Sequence, residues 1–198
     1  MNAWDQRYDI DTFYYGTAPN DFLRARVGDL PPGGRVLCIG EGEGRNAVFL
    51  AKQGFAVTAV DMSHVGLDKL QRLAEQAHVH VVTVVADLAQ FPILPHAWDA
   101  IVAIWCHLPQ SLRAQVHGAC VSGLAPGGMF LLEAYTPRQL EFGTGGPPVV
   151  EMLMTADALR TELAGLHPQI LVETERDVHE GQGHHGHSAV VQVLARKP

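Results

Sequence analysis

Short apolar runs alternate along the chain with longer amphipathic stretches, the pattern of a parallel sheet wrapped by helices. The first run, Arg35-Val36-Leu37-Cys38-Ile39, ends in a glycine cluster. From Asn46 to Gln53, Ala47, Val48, Leu50 and Ala51 share one helical side, and Gly54 stops the helix. Phe55 to Val60 predicts a second strand ending at Asp61. Ser63 then predicts an N-cap for a helix whose Leu70, Leu73, Ala74 and Ala77 recur at helical spacing. Val79 to Ala86 predicts a third strand ending at Asp87, and Trp98 to Trp105 a fourth. Leu112, Val116, Cys120 and Leu124 mark another helix, and Pro126-Gly127-Gly128 turns into a fifth strand, Met129 to Ala134.

Beyond residue 135 the rhythm changes. Gly143 to Pro148 reads as a loop and Thr155 to Ala164 as a short helix. Gln169 to Val178 and His187 to Ala195 predict two strands joined by a Gly- and His-rich loop, an antiparallel pair closing the sheet edge. With no internal repeat and no linker, residues 1–198 read as one α/β domain, with 1–34 as an N-terminal cap and 35–198 as the core.

Composition narrows the function. A chain of 198 residues with 47% hydrophobic positions has the size and apolar content of one globular domain. Fourteen basic against 21 acidic residues give a net charge of −7. Only three lysines are present (Lys52, Lys69, Lys197), so no basic patch tracks a phosphate backbone and nucleic acid is not an expected partner. No apolar run approaches the roughly 20 residues of a bilayer span. The start, Met1-Asn2-Ala3-Trp4-Asp5, lacks the character of a signal peptide, so a cytoplasmic protein is expected. Cys38, Cys106 and Cys120 are too few and too scattered for a disulfide framework or a four-cysteine zinc site.

The sharpest chemical signal is Gly40-Glu41-Gly42-Glu43-Gly44-Arg45-Asn46, which follows a buried strand and opens a helix. Glycines there admit positive φ and close backbone approach, and the helix N-terminus offers unpaired N–H groups. Asp61 lies 61 − 40 = 21 positions after Gly40, where an acid can hold ribose hydroxyls, and Asp87 ends the next strand at the same rim. A dinucleotide fingerprint would need a glycine where Arg45 stands, and Glu41 and Glu43 repel a pyrophosphate. A phosphate-free nucleoside cofactor with an amino group and a cationic sulfur suits an acidic loop better. S-adenosylmethionine (SAM) has those features. An NAD(P)-dependent oxidoreductase and a non-catalytic SAM- or metal-binding module are the readings from other classes.

Along nearly its whole length the chain resembles a class I SAM-dependent methyltransferase. Val36 to Gly44 resembles the family's first motif, Asp61 its ribose-binding acid, and Ala86-Asp87-Leu88 its adenine-binding acid. Trp98-Asp99 to His107 resembles the fourth-strand motif, and Leu124 to Gly128 the turn into the fifth strand. Cys38 departs from the pattern, because an acid is common there; Glu41 is the candidate substitute. Trp4-Asp5-Gln6-Arg7-Tyr8 and Tyr15-Gly16-Thr17-Ala18-Pro19-Asn20 are similar to the N-terminal cap of small bacterial tellurite-resistance and thiopurine-methyltransferase-like proteins. The resemblance implies a Rossmann-like, mostly parallel seven-stranded sheet with an antiparallel C-terminal strand and helices on both faces. It also implies methylation of a small soft acceptor: a thiol, or a selenium or tellurium species. The expected cofactor residues are Gly40, Glu41, Gly42, Gly44, Arg45, Asp61, Met62, Asp87, Leu88, Trp105 and Cys106.

Methyl transfer by in-line displacement needs alignment more than acid–base help, and a thiol with pKa near 8.5 is already partly ionised at neutral pH. Trp105, Cys106 and His107 are expected at the mouth of the fourth strand. There Trp105 either faces a sulfonium as a cation–π partner or simply ends a buried strand. His107 reads as a general base or as a helix cap. In the segment His179 to His187, His184, His185 and His187 lack a matching set of further ligands, so no metal is expected. The family resemblance implies a His-Arg pair there, but His179 is followed by Glu180, which speaks against an oxyanion acceptor. His184 is the acceptor-side candidate, with Arg176 and Arg45 supplying positive charge. The alternative is an O- or N-methyltransferase of a small metabolite with His107 or His184 as base. The aromatic cap (Trp4, Tyr8, Phe13, Tyr14, Tyr15, Phe22) is expected either to cover the cofactor or to pack as structure.

Overall fold

A computed structural model describes residues 2–198. Strands β1 (Arg35–Ile39), β2 (Ala56–Asp61), β3 (Val81–Val85), β4 (Trp98–Ile104) and β5 (Leu124–Tyr135) run parallel. β7 (His184–Arg196) inserts antiparallel between β5 and the edge strand β6 (His167–Glu180). The sheet order is β3-β2-β1-β4-β5-β7-β6. The helices are α1 (Ala3–Tyr8), α2 (Asp21–Arg26), α3 (Arg45–Lys52), α4 (His64–Gln76), α5 (Gln110–Gly123) and α6 (Ala156–Glu162).

The apolar run of β1 follows from burial on both faces. Val36 and Cys38 join one core with Leu50 of α3 and Leu70 of α4, while Leu37 and Ile39 join the other with Val116 of α5 and Leu159 of α6. A strand covered on both sides loses polar alternation, and removing one such side chain (Leu37→Ala) costs about 2–5 kcal/mol. Ser63 caps α4 by accepting from the Gly66 N–H at 3.1 Å. Gly44 caps α3 at φ +92, and a Cβ there would meet Leu70 at 2.3 Å, so α3 and α4 pack closely only across a glycine.

Two elements differ from the sequence reading. β5 starts at Leu124, ahead of the Pro-Gly-Gly segment, with a register shift against β4 between Trp98 and Ala100. The Gly- and His-rich loop is mostly strand: β6 runs to Glu180, β7 starts at His184, and only residues 181–183 turn. Cross-strand pairing down to Glu180↔His184 overrides the weak strand preference of Gly and His. Gly181 is at φ +68, and a Cβ on it would lie 2.3 Å from the Tyr14 carbonyl, because the turn packs directly on the N-terminal cap.

Candidate active site

The carboxyl ends of β1, β2, β3 and β4 open into a cavity of about 420 Å³, within the size range of small-molecule sites. Gly40 and Glu41 line it after β1, Asp61 and Met62 after β2, Asp87 and Leu88 after β3, and Trp105, Cys106 and His107 after β4. A Cβ on Gly40 would stand 2.8 Å from the Cys106 sulfur, so the two strand ends approach only because residue 40 has no side chain.

Asp61 is buried, and its two oxygens accept the N–H groups of Gly42 and Ser63, each at 2.8 Å. Burial raises its pKa, against the pull of those backbone bonds. Each oxygen keeps a lone pair free for a hydroxyl donor. Glu41 Oε1 takes two N–H groups at the start of α3, Asn46 at 3.1 Å and Ala47 at 2.8 Å. Burial outweighs those bonds and pushes Glu41 to about 7. Cys38 is fully buried, and burial, then the neighbouring Glu41, holds its thiol well above the ordinary range. Asp87 is exposed at the rim, where Oδ1 accepts from Ala89 N at 2.9 Å.

The far wall is aromatic. Trp105 sits at φ +56, in the left-handed region that bulky residues seldom occupy. It stacks on Tyr135 with centroids 4.3 Å apart, and His184 meets it edge-on at 4.8 Å. His107 Nε2 accepts the Tyr135 N–H at 3.0 Å, leaving Nδ1 to donate to the Trp105 carbonyl at 3.1 Å. Burial lowers the His107 pKa to about 4 and that of His184 to about 3. His184 Nδ1 pairs with the Tyr135 hydroxyl at 3.0 Å. Cys106 is no ready nucleophile, since burial and then Asp61 push its thiol up to about 12.

Behind that wall lies a buried ionic network. Glu180 accepts from Arg45, the Trp105 indole, Asn20 and Arg176, and Glu133 accepts from Arg176, Asn20 and Gln192. Two carboxylates face two guanidiniums, so the network is balanced. The roof is the N-terminal cap. The buried Lys69 donates to the carbonyls of Tyr8, Ile10 and Thr12 at 3.1, 3.1 and 2.6 Å. Lys69 also stands 2.5 Å from Glu43 Oε1, in ion-pair contact without the alignment of a hydrogen bond. Tyr15, held by Glu43 through its N–H, packs edge-on against His184 at 4.7 Å.

The family described as a methyltransferase domain matches residues 36–128. A curated ubiquinone biosynthesis O-methyltransferase of Xanthomonas campestris pv. campestris is 32% identical over 141 residues, covering 68% of this chain and 56% of the relative. The chain thus spans just over half the length of that relative. TehB from Haemophilus influenzae superposes with TM-score 0.71 at 19% identity, over 90% of this chain and 62% of that one. A structure described under conversion of a disulfide bond into a thioacetal group during echinomycin biosynthesis has TM-score 0.78 at 19% identity, over 98% and 90% of the two chains. Residues 36–128 thus carry a methyltransferase domain, on a fold the chain shares with SAM-dependent methyltransferases. At the level of fold it sits close to TehB. Magnesium protoporphyrin IX methyltransferase from Synechocystis PCC 6803, with bound SAM, shares the fold at TM-score 0.64 and 19% identity, over 88% and 74% of the chains.

The residues of this site fit SAM. Asp61 offers free lone pairs at the end of β2, Gly40 lines the cavity without a side chain, and Glu41 presents a carboxylate next to Cys38. The loop thereby offers a carboxylate, braced on α3, beside the position where Cys38 replaces the acid expected inside β1. Three expected site residues stand outside the cavity, and a fourth has another part in it. Gly42 and Gly44 do not line the cavity; the Gly42 N–H braces Asp61, and Gly44 makes room for Leu70. Arg176 lies outside the cavity, consumed by Glu133 and Glu180. His107 has both ring nitrogens engaged by backbone, so it braces the aromatic wall and is no general base. Arg45 reaches the cavity, but Glu180 and the Ala18 carbonyl hold its guanidinium. The three late histidines separate: His184 is buried against the cavity, whereas His185 pairs with His179 and His187 with Glu175 on the outer face. Period-two alternation along β7 enforces that split.

Proposed function

We propose that this methyltransferase alkylates a small soft nucleophile, with a thiol as the reference acceptor. The observation that supports it most is the state of the two cavity histidines: His107 is fully hydrogen-bonded, and His184 is shifted to about 3. A base that weak does little for an alcohol, whose proton must leave during attack. A thiol releases its proton to solvent beforehand, and its sulfur lone pair then forms the new carbon–sulfur bond.

When bound, SAM supplies a methyl group on a sulfonium, whose bonding pair stays on the departing, now neutral, thioether sulfur. Asp61 and Asp87 would hold the nucleoside and Glu41 the amino end. Trp105, with Tyr135 behind it, presents a π-face suited to positive charge. The cap segment with Tyr8, Tyr14 and Tyr15 excludes water from the cavity. Conversion of a disulfide into a thioacetal, named for a structure of the same fold, is sulfur chemistry and fits this reading.

An O-methyl acceptor is the second reading, favoured by the name of the curated relatives. A screen with SAM and a panel of thiols, hydroselenide, tellurite, phenols and amines, read by product mass, separates the two. Turnover confined to phenols or amines rejects the soft-acceptor assignment.

A further inference from the structure

The outer face of the β6–β7 ribbon carries ionisable side chains that the cavity does not use. Strand alternation puts Glu175, Asp177 and His179 of β6 on that face, beside His185 and His187 of β7. His187 is already engaged there. Its Nε2 meets Glu175 at 2.9 Å and its Nδ1 meets Asp177 at 3.4 Å, with Phe142 edge-on against the ring at 5.0 Å. Glu175 is also tied to Arg138 at 2.7 Å. The exposed rings of His179 and His185 have no polar partner among the described residues except each other, Nδ1 to Nδ1 at 3.4 Å.

Backbone pairing produces that approach. His185 N–H turns away from β6 to donate to the Thr144 carbonyl at 3.0 Å, so His179 and His185 form a non-hydrogen-bonded pair, the kind whose side chains stand closest. Neither strand is free to shift there. Val178 and Glu180, on either side of His179, are buried, as is His184 before His185, and the turn between the strands packs on Tyr14 and Tyr15. Two imidazoles are thus presented to solvent from a fixed backbone.

Their separation has a chemical meaning. Two nitrogens bound at about 2.0–2.1 Å to one tetrahedral ion lie about 3.3–3.4 Å apart, whereas a right angle at the metal would bring them to about 2.9 Å. The 3.4 Å between His179 and His185 is the tetrahedral spacing. In the pair one Nδ1–H points at the other ring's lone pair. Moving that proton to the Nε2 of its own ring turns both Nδ1 lone pairs toward the gap without any change in charge.

We infer that His179 and His185 form a binding site for a divalent transition-metal ion, with zinc as the reference. No set of three ligating side chains converges among the described residues, so the protein supplies two nitrogens and water fills the other positions. Neutral imidazole suits zinc, copper and nickel. The ion clamps β6 to β7 one residue away, on each strand, from Glu180, which anchors the aromatic wall of the cavity, and from His184, which belongs to it.

Calorimetry with zinc chloride on the untagged full chain tests this, beside His179→Ala, His185→Ala and His187→Ala. One zinc per chain is expected for the parent, and each of the first two variants weakens it by about tenfold or more, because half of the protein's ligands is gone. His187→Ala, whose ring is held by carboxylates, keeps the site. A second readout separates ligation from folding: zinc raises the parent's Tm and leaves that of His179→Ala nearly unmoved, each measured against the same protein without metal. Absence of zinc binding by the parent overturns the inference. So does an affinity that survives in His179→Ala or in His185→Ala, which marks adventitious zinc elsewhere on the chain. A loss in His187→Ala as large as in His179→Ala moves the ion to another cluster and overturns the pair as its site.

Discussion

The indole N–H of Trp105 donates to the same Glu180 oxygen that receives the Arg45 guanidinium. One carboxylate at the end of β6 thereby ties the end of β4 to the start of α3. The Trp105 N–H adds a second tether by donating to the Glu133 carbonyl at 2.9 Å. These bonds hold a bulky residue at positive φ, a conformation that costs about 1–3 kcal/mol and persists only where surroundings over-determine it. The reward is a fixed aromatic face on the cavity.

Replacing Glu180 by Gln leaves the buried Arg45 guanidinium without a carboxylate, while Arg176 keeps Glu133 and Asp21. Breaking one partner of such a set costs about 3–5 kcal/mol, so the urea midpoint of Glu180→Gln is expected to fall accordingly. Burial raises the Glu180 pKa, but Arg45, Trp105 and Arg176 outweigh it and hold the group below its ordinary value. A depressed folded pKa contributes stability above the unfolded value and loses it as pH falls through the folded one. The gap between parent and variant therefore narrows in acid and is full at neutral pH. A midpoint unchanged at pH 7 contradicts the network.

Asp61→Ala removes the acceptor at the end of β2. Affinity for S-adenosylhomocysteine is expected to drop about tenfold or more, measured by calorimetry. Asp87→Ala has a smaller effect, because Asp87 is exposed to competing water. Equal and negligible losses in both variants would remove the nucleoside from this rim of the sheet.

The two histidines are expected to part company. His107→Ala strips the Tyr135 N–H of its acceptor, which costs about 1–3 kcal/mol of stability. His184→Ala lowers turnover more than it lowers cofactor affinity, since His184 abuts Tyr15 and Trp105 on the acceptor side. Because burial holds both groups at low pKa, neither produces an inflection near pH 6.5 in the rate profile. An inflection there that vanishes in His184→Ala would restore it as a general base.

Much of this was legible in the chain. The strand–glycine–helix start, Asp61 and Asp87 follow from apolar periodicity and from where each run stops. The Lys69 clasp was not, because Lys69 sits on a helix whose face reads as ordinary and its partners are carbonyls of an aperiodic segment. The Glu133–Arg176–Glu180–Arg45 network was missed although Glu133 gives a signal: a charged residue inside the apolar run Met129 to Tyr135 of a central strand requires a buried partner. Arg176 looked like spare positive charge because pairing partners on other strands cannot be read from spacing.

Lys69→Met tests the roof. It leaves Glu43 buried without its cation and three cap carbonyls without their donor. Hydrogen exchange at residues 8–15 is expected to accelerate, with stability lower by about 3–5 kcal/mol. Protection equal to that of the parent would show that the cap is held by its aromatic contacts alone.

The acceptor assignment meets its most direct test in a molecule that offers both chemistries at once. 4-Mercaptophenol is incubated with the protein and SAM, and fragmentation of the methylated product locates the new methyl group. Methylation on sulfur, lost in Asp61→Ala, is the predicted result. Methylation on oxygen with the thiol left free would contradict the account.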